Sequence, residues 1–573
     1  MDGPEITPEQ RERVATENWA VLKKELLRKH LRFTSRPYEA HVQFSNFCNM
    51  SCVMCWDGGN PPLRKMYPEV LERVAKQIAP SLSVITPYEG SEPLIVSWDE
   101  TRDMARKYSI QLALTTNTQF LDEEKFHELK DLVEFVSLSI DSHIPEVFEK
   151  IRPGSKPEAV FENLKRTVRL CEEHGIECMI QAVLMTENAP MMPETITYMA
   201  GIGAQTVNVI QLIDVNKHSG YLDPTLHFSV EWMRWLKEKC IAAAREGEIR
   251  LGWWLGRDTE WFDFRDRERA IRPRISKVRN DTLDHLMKLR HPGFCRYAYN
   301  RLRIMAEGDV SPCGMATEGE LSLGDLSEQD FDDIWNGVNA RDLRRAHYTW
   351  DFPSLCKSCR LTDPLPPQER LPFVPYFLEQ TPGTPDELEL TLALEHPVHM
   401  SRLTSAPIFR IRQNTNQPAG YVVLVALGGE LEELAVYDAE PHKRDDGTIE
   451  LHIADDVWSG LETNLGYWWT VVQLDQDGIP RSRAPEAWCL IRHEHMPRIE
   501  GSTLGYPDEG HVPAIYLGGQ RQIGWEDSGA LPARPLVTEP TGERANGKTA
   551  NRALRDHLAA YDDLVRRLRD AAG

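Results

Sequence analysis

The chain has 573 residues, 41% of them apolar and 27% charged, and its 66 Lys and Arg against 88 Asp and Glu leave a formal net charge of −22. That length suits about two to four domains, with a core large enough to need no disulfide staples. The acidic balance argues against nucleic-acid and anionic-membrane partners, and no apolar run reaches the length of a membrane span.

The N-terminus, Met1-Asp2-Gly3-Pro4-Glu5, has neither the basic start nor the apolar run of a signal peptide. A cytoplasmic chain is therefore expected, its eleven cysteines reduced and available for metal ligation or plain burial. Residues 1–37 read as an N-terminal helix, opened by Thr7-Pro8-Glu9 and running to about Leu31. Across 38–217 strand-like and helix-like segments alternate. Strands are predicted at 41–47, 82–88, 110–115, 133–141, 177–185 and 206–213, with clear helices at 122–132 and 157–174 and Gly175 capping the second. Six such repeats imply an α/β fold with a parallel sheet, open or curled into a partial barrel. Functional groups then belong at the C-terminal ends of the strands.

Residues 218–294 form a Trp- and Arg-rich connection, a small cysteine-bearing segment occupies 295–362, and a Pro-rich linker follows. Short alternating runs between turn signals over 384–495 predict a separate all-β sandwich. In the Gly- and Pro-rich tail, 496–573, Leu554, Leu558, Tyr561, Leu564 and Leu568 recur at helical spacing. That terminal helix suits docking on its own chain or pairing in a homodimer.

Cys48, Cys52 and Cys55 lie within eight residues, directly after the first predicted strand. Three thiolates so spaced can wrap one face of a [4Fe–4S] cluster and leave one iron open to a small ligand. A structural zinc site would need a fourth ligand, and none is nearby.

This pattern resembles the radical S-adenosylmethionine (SAM) superfamily, whose mark is Cys-x3-Cys-x2-Cys after the first strand of a partial (β/α)6 barrel. Further motifs fall in order over residues 38–215. Glu89-Gly90-Ser91-Glu92-Pro93 stands where the family carries Gly-Gly-Glu-Pro, with Ser91 in place of the second glycine. Thr115-Thr116-Asn117-Thr118 resembles its Thr-Asn-Gly, with Thr118 replacing glycine, and Ser137-Leu138-Ser139-Ile140-Asp141 resembles its Ser-x-Asp. Lys150-Ile151-Arg152 follows where members contact the SAM carboxylate. The resemblance thus implies cofactor-binding roles for Gly90, Ser91, Glu92, Asn117, Ser139, Asp141 and Arg152. Strand-end capping by Glu92 and Asp141, and an ion pair at Arg152, are the structural alternatives.

Cys295, Cys313, Cys356 and Cys359 form a second group, with Gly308 ahead of Cys313 and Ile334-Trp335-Asn336 following. It resembles the SPASM and twitch extensions of the same enzymes, in the version with one fully ligated auxiliary [4Fe–4S] cluster. By spacing alone, four thiolates serve a structural zinc equally well. The resemblance implies reductive cleavage of SAM to a 5′-deoxyadenosyl radical and hydrogen abstraction from substrate. A second cluster without an open site points to electron transfer. The expected reaction is therefore oxidation of a small hydroxylated metabolite, such as a sugar or aminocyclitol, with flavodoxin or ferredoxin as reducing partner. The alternatives are a peptide or protein maturase, a redox-neutral epimerase and a non-catalytic zinc scaffold. No winged leader-peptide domain is expected before residue 38, which ranks a small molecule above a peptide.

The remaining signals are weaker. Cys178, the hydrogen donor an epimerase would need, alternates to the face opposite Gln181. Trp253, Trp254 and Trp261 suit stacking on a sugar or cyclitol, and Arg257 a carboxylate or phosphate, but ordinary packing of a connecting unit is the favoured reading. His493-Glu494-His495 lacks a third metal ligand, and the stretch around Gly466-Tyr467-Trp468-Trp469 looks like a fibronectin type III strand pair.

Overall fold

Helix formation begins at Thr7, whose hydroxyl and Gln10 close a reciprocal capping box ahead of Pro8–Leu27. The computed structural model describes residues 5–506 apart from 56–62, 213–222, 256–257, 266–273, 292, 315, 317–318, 358, 360–391, 398, 414–419, 428–433, 453–454, 475–479 and 485–486. The terminal helix expected around Leu554–Leu568, the Pro-rich linker and Arg257 therefore lie outside the described residues.

Six parallel strands follow the first helix: β1 (Glu39–Val42), β2 (Val84–Thr86), β3 (Gln111–Thr116), β4 (Val133–Ser139), β5 (Glu177–Leu184) and β6 (Thr206–Gln211). They pair in sequence order. Each crossover needs a helix against the sheet, and Pro157–His174 shows why the sequence supplies one. Pro157 opens it, Val160, Leu164, Val168 and Cys171 are buried along one face, and Gly175 caps it. Val136, Leu138, Ile180, Ala182, Val207 and Val209 turn to this helical layer and belong to the main core. The alternate positions, among them Ser137, Ser139, Gln181 and Asn208, line the other, concave face.

The sheet does not stop at six strands. β7 (Arg250–Leu255) joins β6 in parallel and β8 (Asp258–Asp263) turns back beside it, so the Trp- and Arg-rich segment is part of the same sheet. On the opposite edge β9 (Arg301–Ile304) pairs in parallel with β1, and β10 (Asp309–Ser311) and β11 (Gly324–Asp325) extend it. The result is a partial α/β barrel with open edges at β8 and β11.

A separate β-rich region follows, comprising β12 (Leu392–His396), β13 (Ser401–Leu403), β14 (Ile408–Gln413), β15 (Gly420–Leu427), β16 (Leu434–Lys443), β17 (Thr448–His452), β18 (Gly466–Leu474), β19 (Pro480–Arg483) and β20 (Trp488–Arg492). β16 pairs with β15 over 434–439 and with β17 over 440–443, passing from one half of the region to the other. Phe409, Ile411, Val423, Leu451, Trp469 and Val471 form its core. β13 pairs with β20 in parallel, whereas the other pairs of this region are antiparallel.

After β20 the chain returns to the first unit. The Ile499 amide and Tyr506 hydroxyl donate to Asp342 at 3.0 and 2.7 Å, the Thr503 amide donates to Asn339 at 2.9 Å, and Leu504 is buried in the main core. Among the described residues no helix is long and apolar enough to cross a membrane.

Candidate active site

β1 ends at Val42, and residues 43–55 loop over the C-terminal end of the sheet carrying Cys48, Cys52 and Cys55. The loop is pinned from below: the Ser51 and Val53 amides donate to the carbonyls of Pro153 and Ile151 at 2.8 and 3.0 Å. Cys48 is exposed and lies within electrostatic reach of Cys52 and Cys55. No cysteine of the chain is in a disulfide.

The residues expected around SAM divide into two groups flanking this loop. On one side Gly90 and Ser91 bend into Glu92, which is 1% exposed. Glu92 accepts hydrogen bonds from the Thr116 hydroxyl at 2.8 Å and the Asn117 amide at 2.8 Å. Burial lifts its carboxyl to about 7, against the pull of those bonds. The Asn117 side chain donates to Asn49 at 2.7 Å, tying this group to the cysteine loop. Thr118 keeps the backbone its glycine counterpart would have, with φ of 75°. A β-branched residue there stores roughly 1–2 kcal/mol of strain.

On the other side Asp141, fully buried, accepts from Arg152 Nε at 2.6 Å and from the Val183 amide at 2.9 Å. Arg152 also reaches the Cys52 sulfur at 3.7 Å. Ser139, the last residue of β4, stands beside Gln181 on the concave face, two residues before Asp141. The structure therefore brings Cys52, Arg152 and Asp141 together, and separately Glu92, Asn117 and Asn49. Ser139 lies below the Asp141 pair.

The second cysteine group also converges. Burial, then the charges of Cys359 and Cys313, push the Cys295 thiol up to about 12, and burial with its three neighbours holds Cys356 well above the ordinary range. Thiols that stand close enough to repel one another as thiolates, two of them desolvated, fit the ligand shell of a cationic iron–sulfur core. Gly308 makes the turn ahead of Cys313 at φ of 119°, where a Cβ would stand 2.4 Å from Asp325 Oδ1. Trp335 and Asn336 fasten the segment to the N-terminal region. The indole donates to the Ser35 carbonyl at 2.8 Å, and the Asn336 amide exchanges two bonds with the Phe33 backbone.

Sequence reasoning missed a buried polar group between the two cysteine sites. Arg303 on β9 donates from Nε to Glu89 Oε1 at 2.9 Å, His41 Nδ1 stands 3.4 Å from Glu89 Oε2, and Arg301 contacts His41 Nε2. A Cβ on Gly314, next to Cys313, would lie 3.7 Å from Glu89 Oε1. Burial works to raise the Glu89 carboxyl, but the His41 bond and the Arg303 charge outweigh it and hold it below the usual range. The alternation in Arg301-Leu302-Arg303-Ile304 was the available signal for this inward-facing charge.

Other expected groups fall elsewhere. Cys178 turns to the helical layer and meets Cys171, away from the concave face. Trp253 is buried in the main core, whereas Trp254 and Trp261 meet edge to face at 5.6 Å on the concave side. His493 and His495 follow β20, at the edge of the β-rich region.

Residues 42–199 match the radical SAM superfamily, and residues 295–360 match SPASM, an iron–sulfur cluster-binding domain. The chain thus carries a radical SAM domain followed by a SPASM domain. These two domains imply a SAM-binding [4Fe–4S] cluster, SAM and an auxiliary iron–sulfur cluster. Among individual proteins, the GTP 3′,8-cyclase of Nautilia profundicola is 24% identical over 289 residues, 48% of this chain and 80% of the cyclase. A probable GTP 3′,8-cyclase of Sulfurisphaera tokodaii is 22% identical over 308 residues, 52% of this chain and 88% of its own. The crystal structure of Streptococcus suis SuiB bound to S-adenosylmethionine aligns at 19% identity with a TM-score of 0.41, covering 59% of this chain and 73% of SuiB.

Proposed function

We propose that this enzyme oxidises a small hydroxylated metabolite, of sugar or aminocyclitol type, by hydrogen abstraction. The observation that carries the reading is Glu89, an ionised, buried carboxylate set between the SAM-motif strand end and the Cys313 segment. An alcohol that loses a hydrogen atom from carbon must still shed one proton and one electron to become a carbonyl. When bound, SAM and the first cluster supply the hydrogen-abstracting radical, and the auxiliary cluster supplies an electron acceptor. Cys48, Cys52 and Cys55 would hold the first cluster, and Cys295, Cys313, Cys356 and Cys359 the second, of twitch type. Glu89 takes the hydroxyl proton, Arg303 keeps it ionised beforehand, and His41 orients it. Glu92, Asn117 and Arg152 face the SAM side.

In the same reading the enzyme is a cytoplasmic oxidoreductase, reduced by flavodoxin or ferredoxin. The β-rich region is a fibronectin type III-like module that binds or spaces. The names of the curated relatives support a second reading, a purine nucleotide substrate.

The test is anaerobic reconstitution followed by turnover of polyols deuterated at carbon, with GTP in parallel. Deuterium in 5′-deoxyadenosine together with a carbonyl product is the expected result. Cys313→Ala should cleave SAM yet yield no carbonyl product. Full product formation in that variant refutes the electron-acceptor role, and deuterium-free 5′-deoxyadenosine with GTP consumption selects the second reading.

A further inference from the structure

One level of the sheet carries a continuous row of inward-facing residues. Ser139 on β4 pairs with Gln181 on β5, Gln181 with Asn208 on β6, Asn208 with Gly252 on β7, and Gly252 with Trp261 on β8. Paired residues share a face, so this row runs from the SAM motif at Ser139 to an aromatic wall at Trp261.

Gly252 is the reason the wall can stand there. A Cβ at that position would lie 2.3 Å from Asn208 Oδ1 and 2.9 Å from the Trp261 ring. Asn208 therefore lies over a bare backbone, against the indole. It is 1% exposed, and its Oδ1 has no hydrogen-bond partner. Ser137, on the same face one step nearer the N-terminal end of β4, is 2% exposed with an unpartnered hydroxyl. Leaving such atoms unpaired carries a desolvation cost that a ligand can recover. Trp261 itself is 39% exposed, with the Arg250 guanidinium stacked 4.0 Å over its ring.

We infer that the concave face of β6–β8 is the substrate subsite, where Asn208 hydrogen-bonds a ring hydroxyl and Trp261 carries the ring's apolar face. The ligand class is a hydroxylated carbocycle or pyranose. Such a ring offers hydroxyls at its rim and C–H bonds on its faces, which match an amide beside an indole. The subsite rests on the oxidation of a hydroxylated metabolite proposed above. It adds residues that no motif marks, and it sets the reacting ring in the same row as Ser139.

Ligand-observed saturation-transfer NMR on the cluster-loaded, SAM-bound protein, kept anaerobic and oxidised, tests this with myo-inositol as probe and GTP as comparator. Wild type should saturate the inositol C–H protons. Asn208→Leu, which keeps the shape and removes the amide, and Gly252→Ala, which displaces both neighbours, should each weaken that signal at least fivefold. Dithionite-driven formation of 5′-deoxyadenosine without substrate should stay within twofold of wild type in both, showing that the SAM site is intact. Inositol binding undiminished in both variants overturns the subsite alone. Absence of inositol binding to wild type, or binding of GTP in its place, overturns the subsite together with the reading on which it rests.

Discussion

Two histidines buried beside the second cysteine group make the protein acid-sensitive in a way that can be worked out in advance. His291 and His347 are 3% and 4% exposed, and each has an Nδ1 without a partner. Aromatic rings enclose them: Tyr348 and Trp350 lie 5.8 Å from His291, and Phe352 lies 5.0 Å from His347. Burial holds both imidazoles down to about 3, with Lys29 and Arg290 adding to the effect at His291. Unfolded histidines titrate near 6.5. Their contribution is therefore complete above about pH 6.5, and it is lost progressively as pH falls toward 3, because only the unfolded chain takes up the protons. At pH 5 the loss is roughly 2 kcal/mol for each histidine, about 4 kcal/mol together. The assay is urea unfolding of the cluster-loaded protein under anaerobic conditions at pH 7.5 and pH 5.0, for wild type and for His291→Phe/His347→Phe. Wild type should lose about 4 kcal/mol more than the double variant between the two pH values. Equal losses would refute the reasoning.

Asp141→Ala leaves Arg152 buried without its carboxylate, so unfolding stability should fall by about 3–5 kcal/mol, read by the same urea titration, and 5′-deoxyadenosine yield should fall with it. Gly308→Ala forces a Cβ against Asp325 at a positive φ, so iron content should drop from about eight to about four per chain while SAM cleavage persists. Glu89→Gln should lower oxidised product about a hundredfold while SAM is still cleaved. Its residual rate should also lose the acid limb of the pH profile, and an unchanged profile would remove Glu89 from proton transfer.

The barrel was legible where local chemistry and period agreed. Helix 157–174 announces itself through Pro157, its apolar spacing and Gly175, and β3 to β6 are bounded nearly as the alternation predicts. The extension into β7 and β8 was not legible. Trp253 and Trp254 are equally large and apolar but point to opposite faces, so the two-residue period is masked in the side chains themselves. Glu89 escaped notice for a different reason. Its partners His41 and Arg303 are 262 residues apart in sequence and meet only because β9 pairs with β1. The cysteines were visible from spacing, because a cluster's ligands must come from short, regular intervals. A hydrogen-bonded charge group has no such interval, and Asn208, whose meaning lies in a missing partner, leaves no trace in the sequence.

The return of residues 499–506 onto helix Val338–Thr349 has a consequence for the β-rich region. That region leaves the cluster segment after Cys359 and comes back to it through Tyr506, so in chain terms it is an excursion with both feet on one platform. Cutting the chain at residue 362 would remove the second foot as well as the region, exposing Leu504's berth and the paired Asp342 and Arg345. Excision has to splice 362 to 496 if the platform is to be kept. The same tethering holds the end of the region close to the second cysteine group.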